Sequence, residues 1–542
     1  MTPNDGTQDR PLAVCRSGAA VAAAVAASLA LFASPPVRAA DNQDNEIQAL
    51  KQQVQDLQRR IDALAARQVA QPAAPAQQLP PAPVASPVPP GGISPSFYAG
   101  PVKLTLNGFV ELMVVNRNRN ESDDWASNFN TAIPFPNSHN YDLSEFHFTE
   151  RQSRIAALAQ GPTDPGHIAE AYVETDFGGS TTNGNNNQSS SFSPRVRHFY
   201  ADYQDLNNGW SVLFGQTWSL VTAEKTGLTP RQENIPLVID GQYVPGFDWL
   251  RVPQVRLVKN FGPTFALGFS AENPAAQVSA TTTAPAAASL NNNAFYTTPG
   301  AGNAYAPTTN VSTDSMPDFV VKAALDPGYG HYEIFGLTRW FRSRYIAAGA
   351  DANQTSHGYG VGGNVLLPLV PKLLDFQAGF LTGTGIGRYG STGEPDATIN
   401  PTTGELAPLH GYHALAGLIL HPAPAWTLFA YGGIEHVSDR AFDITTTSAG
   451  APVTYGYGYG DPLFSNAGCE TEAIGTCTAN TSSITSGTLG GWWKFREGPL
   501  GNFQIGATDT YLKRTIFAGV GGDPSTNMNI VMVSFRYYPY QN

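Results

Sequence analysis

From Pro101 onward, apolar and polar side chains alternate with a period of two. In "VKLTLNGFVELMVV", Leu104, Leu106, Val110, Leu112 and Val114 share one face, while Lys103, Thr105, Asn107 and Glu111 mostly take the other. Successive side chains of a strand point to opposite sides, so this is the signature of strands with one apolar face. The same pattern sets Ala169, Ala171 and Val173 against Glu170, Glu174 and Asp176. It also sets Val531, Val533, Phe535 and Tyr537 against Met532, Ser534 and Arg536. In "PRVRHFYADY" it assigns Val196, His198 and Tyr200 to one face and Arg195, Arg197, Phe199 and Ala201 to the other.

The connections order these strands. Seven tight turn signals, "GPTDPG", "DLNNG", "NFGP", "LDPGYG", "LPLVPK", "HPAPAW" and "REGPLGN", each sit between two strand-like runs. Seven hairpins, an opening run at Val102 and a closing run at Asn527 predict sixteen strands. The links between hairpins, such as 178–193, 273–316, 383–410 and 438–486, are long and polar, so short turns are expected to alternate strictly with long loops. An even strand number with short turns at one end and long loops at the other defines an all-β, antiparallel transmembrane β-barrel of the outer-membrane type. A soluble sandwich or propeller needs no such asymmetry.

The period changes toward the N-terminus. Ile47, Val54 and Ile61 fall at a positions and Leu50, Leu57 and Leu64 at d positions of a heptad repeat, which predicts a short coiled-coil helix within residues 40–70. A helix packed on the main domain is the alternative. Residues 71–100 are rich in proline and read as an extended tether before a barrel spanning 101–542. Residues 1–39 read as a secretory signal peptide: Arg10 and Arg16 precede the apolar run Gly18 to Ala33, and Val37 and Ala39 suit a small-residue cleavage site.

Composition agrees with an exported, loop-rich chain. Only 14% of the 542 residues are charged, and mean hydropathy is −0.20 because Gly, Asn, Ser, Thr and Gln supply the polarity. Removing three arginines and two aspartates with residues 1–39 takes the net charge from −12 to −13, which argues against nucleic acid as a partner. Cys469 and Cys477 share a polar stretch of an exported chain and are expected to form a loop disulfide. No metal, cofactor or catalytic residue is expected: the chain has no GxSxG or HExxH, and "GTGIGRYG" lacks the final spacing and the following helix of a nucleotide loop.

Candidate chemistry lies on the face opposite the lipid. An arginine exposed to lipid at the midplane costs about 2–4 kcal/mol, so arginines deep in strands are expected to face the lumen. This singles out Arg154, Arg195, Arg197, Arg256, Arg339, Arg514 and Arg536, with Arg388 near the mouth, as pore-lining or anion-binding candidates. The plainer alternative is that they pair with Glu111, Glu170, Glu174 or Glu333 and brace the wall. The connection from Leu220 to Asp248 is expected to fold inward as a constriction, and "YGYGYG" (Tyr455 to Gly460) to be a structured outer loop.

At "SRIAALAQGPTDPGHIAEAYVETDFGG", "RVRHFYADY", "LFGQTWS" and "GTGIGRY" the chain resembles the DcaP-like trimeric outer-membrane porins, over most of its length. The resemblance implies a homotrimer of sixteen-stranded barrels in a Gram-negative outer membrane. It also implies passage of small organic anions such as dicarboxylates past luminal arginines, with the coiled coil in the periplasm. Membrane lipids and lipopolysaccharide would surround such a barrel. The chain departs from many such barrels in ending "PYQN" and not on Phe. A non-transport envelope or adhesive barrel, and a barrel hydrolase, are the competing classes.

Overall fold

In the computed structural model, the described residues are Gln55, Arg59 and 96–542, apart from 126, 162–163, 180–189, 191, 284–293, 297–312, 348–349, 449 and 541–542. The expected signal peptide and most of the expected coiled coil and tether lie outside them. Gln55 and Arg59, which fall between a and d positions of the heptads, are helical.

The wall of the barrel comprises β1 (Val102–Arg117), β2 (Glu145–Thr149 continued by Arg154–Gln160), β3 (His167–Gly179), β4 (Ser193–Asp205), β5 (Trp210–Trp218), β6 (Arg251–Phe261), β7 (Phe265–Glu272) and β8 (Asp318–Leu325). It continues through β9 (His331–Ala347), β10 (Ala350–Val370), β11 (Leu374–Thr384), β12 (His410–Ala423), β13 (Trp426–Val437), β14 (Thr481–Gly498), β15 (Gly501–Ile516) and β16 (Ser525–Tyr538). Every neighbouring pair is antiparallel, and β16 closes on β1 with Val110 opposite Tyr537 and Arg117 opposite Ile530. The result is a closed sixteen-stranded antiparallel barrel. The nineteen segments of this sheet are those sixteen, with β2 counted as two, plus Ser96–Ala99 and Ala294–Tyr296.

All seven predicted turns fall at one end, where the connections are tight. The other end differs from expectation at two places. Between β9 and β10 the two strands run on as a hairpin, paired as far as Ala347 and Ala350, and only residues 517–524 link β15 to β16. The absence of proline between residues 341 and 367 lets the ladder continue where a loop was expected. The expected tether is also shorter at its end: Ser96–Ala99 pairs with Val102–Thr105, on the edge of β1 that β16 occupies further up.

Outward positions carry the apolar band. Val110, Leu112, Ile155, Phe199, Ile334, Leu489 and Phe535 are exposed, whereas Glu111, Glu170, Asp176, Arg256, Arg339 and Ser534 on the opposite face are buried. The alternation fails at one informative place. Arg195, Arg197 and Val196 lie as predicted, inward and outward respectively. His198 and Tyr200, assigned to the lipid face, are instead buried inside, and Phe199, assigned to the lumen, is 65% exposed outside. The register of β3 against β4 slips between Glu174 opposite His198 and Thr175 opposite Val196, leaving Arg197 as the extra residue of a bulge. A bulge inverts the parity of everything beyond it.

Candidate functional site

The β5–β6 connection, residues 219–250, leaves the wall and crosses the interior, as the placement of its hydrogen bonds shows. At its first limb, Lys322 Nζ on β8 donates to the Thr222 carbonyl (2.8 Å) and the Glu224 amide donates to Glu333 Oε1 on β9 (3.0 Å). At its middle, Trp492 Nε1 on β14 donates to the Leu237 carbonyl (2.7 Å), and Arg536 Nη2 on β16 to the Ile239 carbonyl (2.9 Å). At its far limb, the Gly246 amide donates to Glu435 Oε1 on β13 (2.8 Å). Trp218, Val238, Val244 and Phe247 pack there against Leu415, Ile419, Phe429 and Tyr431 of the opposite wall. Gly433 permits this approach, since a Cβ there would collide with the Pro245 carbonyl.

Glu435 also holds a second inward segment. Its carboxylate accepts from the Ser391 amide (2.8 Å), the Ser391 hydroxyl (3.0 Å) and the Thr392 amide (3.2 Å) of the β11–β12 loop. One fully buried carboxylate thus ties both inward loops to the wall. Its sequence context, "GGIEHV", reads as ordinary strand, and only the glycines before it hint at a close backbone approach.

Beside the crossing loop, near the turn end, lies a cavity of about 520 Å³. Arg154, Arg197, Lys225, Lys494 and Arg536 supply cations to its lining, against the carboxylates of Glu233 and Asp240; Trp125, Trp249 and Trp492 supply aromatic faces. Arg154 enters the lumen where β2 breaks at residues 150–153. Gly108 on β1 adopts φ +128° there, and a Cβ would run into the Arg154 carbonyl, so the break depends on glycine.

The predicted arginines fall into distinct settings. Arg195 grips Asp176 with two hydrogen bonds (2.9 and 2.7 Å), and Arg197 binds Glu174 (2.6 Å) and Asp176 (2.9 Å). Arg339 is clamped by Asp318 (3.0 Å) and Asp396 (2.6 Å). Arg536 pairs with Glu111 (3.0 Å) and lies over Trp492. Arg256 gives its Nη2 to the Trp218 carbonyl (2.6 Å), with Glu224 at 3.8 Å. Arg388, in the β11–β12 loop, donates to the Asn273 carbonyl (2.9 Å) and lies 3.7 Å from Asp318. Arg514 serves the first loop, residues 118–144, donating to the Ile133 carbonyl (2.8 Å), and it also donates to Thr481 Oγ1 on β14 (2.8 Å).

Arg154 stands apart. Its Nη1 is 3.6 Å from Glu174, whose nearer oxygen already serves Arg197, and its buried Nε has no hydrogen-bond partner among the described residues. Arg251, at the start of β6, was missed by the sequence reading because it sits at a loop-to-strand junction. It lies over Trp218 (4.5 Å) and Trp249 (5.1 Å), and its buried Nη1 likewise lacks a partner among the described residues. Away from the lumen, Cys469 and Cys477 are joined as a disulfide in the β13–β14 loop.

A closed barrel with a lipid-facing apolar band, a polar interior and a loop packed across that interior defines a porin-like outer-membrane channel fold. Among solved structures, the outer membrane channel DcaP of Acinetobacter baumannii shares it, with a TM-score of 0.54, 19% identity, and 81% of this chain matched to 97% of that one. The anion-selective porin from Comamonas acidovorans matches at 10% identity, TM-score 0.41, over 81% of this chain and 99% of that one. OprB of Pseudomonas putida matches at 10% identity, TM-score 0.43, over 80% and 94%. No protein-family model and no curated protein sequence matches the chain.

Proposed function

We propose that this chain is an outer-membrane porin for passive, selective diffusion of small hydrophilic solutes, with preference for organic anions such as dicarboxylates. In this reading the exported barrel assembles as a homotrimer, with a coiled coil in the periplasm. The observation that carries it is the cavity beside the crossing loop, whose lining holds five cationic side chains against two carboxylates. About 520 Å³ lies within the range of small-molecule sites. Guanidinium groups replace part of an anion's hydration and can hold a carboxylate through two parallel hydrogen bonds.

Not all eight arginines contribute equally in this reading. Arg195, Arg197 and Arg339 spend their donors on wall carboxylates and set geometry. Arg154, whose buried Nε lacks a partner among the described residues, carries the solute contact at the cavity, and Arg251, outside its lining but likewise with a buried donor lacking a partner among the described residues, adds to the field there. The test is the reversal potential of the purified protein in a planar bilayer under a salt gradient. Anion selectivity that falls in Arg154→Ala/Arg251→Ala supports the reading. Cation selectivity, or selectivity unmoved by that pair, removes it, and a barrel without conductance points to the envelope role.

A further inference from the structure

Around the cavity, the carboxylates of the wall are matched by cations. Glu174 meets Arg197 at 2.6 Å, Asp176 meets Arg195 at 2.7 Å, Glu111 meets Arg536 at 3.0 Å and Glu170 meets Arg231 at 2.7 Å. The two carboxylates that the crossing loop adds to the lining, Glu233 and Asp240, differ: among the described residues neither has a cationic side chain within salt-bridge distance. Asp240, 3% exposed, accepts from two neutral donors, Gln152 Nε2 (2.8 Å) and the Gln242 amide (2.9 Å). Glu233 accepts from the Arg231 amide (3.3 Å). Its place is fixed because the loop doubles back on itself, the Lys225 amide donating to the Gln232 carbonyl (2.6 Å) and the Asn234 amide to the Ala223 carbonyl (2.7 Å). Burial pushes both carboxyls above their ordinary range, as it does to negative charge that lacks a matching partner.

The cations of the lining divide in the same way. Arg197 and Arg536 are engaged by wall carboxylates, and Lys494 pairs with Glu497 at 3.1 Å. Arg154, 3.6 Å from Glu174 and 5.2 Å from the Phe109 ring, keeps a buried Nε without a partner among the described residues. Lys225 has no carboxylate within salt-bridge distance among those residues. The cavity therefore leaves two cations open beside two carboxylates. An incoming carboxylate suits the first pair, and an ammonium, with three donors and no acceptor, suits the second. A dicarboxylate without a positive group leaves Glu233 and Asp240 unmatched and brings like charge close to them.

We propose that the cavity is a site for acidic α-amino acids, solutes that carry an ammonium group together with two carboxylates. Arg154 and Lys225 take the carboxylates, while Asp240 and Glu233 share the ammonium. The assignment rests on the porin reading above and narrows its solute class, since such a molecule keeps a net negative charge.

The experiment uses the purified full-length protein with L-glutamate and glutarate, two probes that differ by the ammonium group. Liposome swelling reads passage, and the concentration that half-blocks the chloride current in a planar bilayer reads binding. Both probes are expected to pass wild type, with L-glutamate half-blocking at about one tenth of the glutarate concentration, the gain from one charged hydrogen-bonded contact. In Glu233→Gln/Asp240→Asn that preference is expected to disappear. Should the pair fail to give heat-modifiable barrel, Glu233→Gln alone, which leaves both Asp240 hydrogen bonds in place, is expected to weaken it. Passage of both probes with equal half-blocking concentrations in wild type, or a preference that the variants leave unmoved, overturns the proposal and leaves the porin reading standing. Passage of neither probe overturns both.

Discussion

Replacing Glu435 with alanine should release the crossing loop from the far wall while leaving the barrel intact. The buried carboxylate accepts hydrogen bonds from the backbone amides of Gly246, Ser391 and Thr392. Alanine leaves those three donors without their partner. An unsatisfied buried donor costs about 1–3 kcal/mol, so the docked loops lose about 3 kcal/mol even at the lower bound. Each 1.4 kcal/mol is about tenfold in an equilibrium constant, so the docked-to-released ratio falls by about a hundredfold or more. The backbone ladder of β13 with β12 and β14 does not involve the side chain, so heat-modifiable migration should persist. The assays are single-channel conductance in planar bilayers and liposome swelling with sugars of increasing size. Conductance and size limit should both rise; Glu435→Gln, which keeps one acceptor oxygen, should fall between. A correctly inserted Glu435→Ala barrel with unchanged conductance and size limit would refute the reasoning that these hydrogen bonds hold the constriction.

Arg197→Ala strands Glu174 and Asp176 without their shared cation; breaking a buried pair costs about 3–5 kcal/mol, so the unfolding temperature of the barrel, followed by gel shift, should drop. Arg154→Ala should leave that temperature nearly unchanged and instead move the reversal potential, because among the described residues Arg154 is held by a 3.6 Å contact to Glu174 and a 5.2 Å approach to the Phe109 ring. Cys469→Ser/Cys477→Ser opens a loop of sequence separation 8; loop-closure entropy puts the loss at roughly 2–3 kcal/mol, confined to the β13–β14 loop, so limited proteolysis there should accelerate while the barrel stays resistant. In the first loop, burial pushes the Glu121 carboxyl up to about 7 despite Arg117 at 3.1 Å. Its folded-state pKa is raised, so its contribution to loop stability is full below about 4.5 and is lost as pH rises through about 7. Hydrogen exchange of residues 118–130, corrected for intrinsic rates, should therefore quicken between pH 5 and 8 in wild type and flatten in Glu121→Gln.

The period-two pattern and the turn residues made the barrel legible, because an apolar outside and seven tight turns are local properties of strands and of Pro, Gly and Asn. The inward assignment of Arg195, Arg197, Arg256, Arg339, Arg514 and Arg536 follows from the same parity and from the cost of charge in lipid. What parity could not reach were sites set by contacts distant in sequence. Glu435 is one strand residue among many until Gly246 and Ser391 arrive from two different loops. Arg251 acquires its role only through Trp218 and Trp249, which the crossing loop brings together. His198 and Tyr200 were misplaced because nothing in "RVRHFY" announces a bulge: the extra residue is required by the partner strand, not by β4 itself.

That bulge also decides what the two arginines of "PRVRHFYADY" do. Without it, Arg197 would face one residue of β3; with it, Arg197 reaches both Glu174 and Asp176, and Arg195 closes on Asp176 from the other side. Two cations and two anions interlock, and Arg197 is left 3% exposed. A charge so compensated contributes little net field to the lumen and much rigidity to the wall. It also acts on Arg154, because Glu174 Oε1, engaged by Arg197 at 2.6 Å, is held away from full engagement with Arg154 at 3.6 Å. The clamp on β4 thereby leaves a partly unspent guanidinium on β2 facing the cavity. The two neighbouring arginines thus brace the wall, and Arg154, earlier in the chain, keeps the guanidinium that faces the cavity.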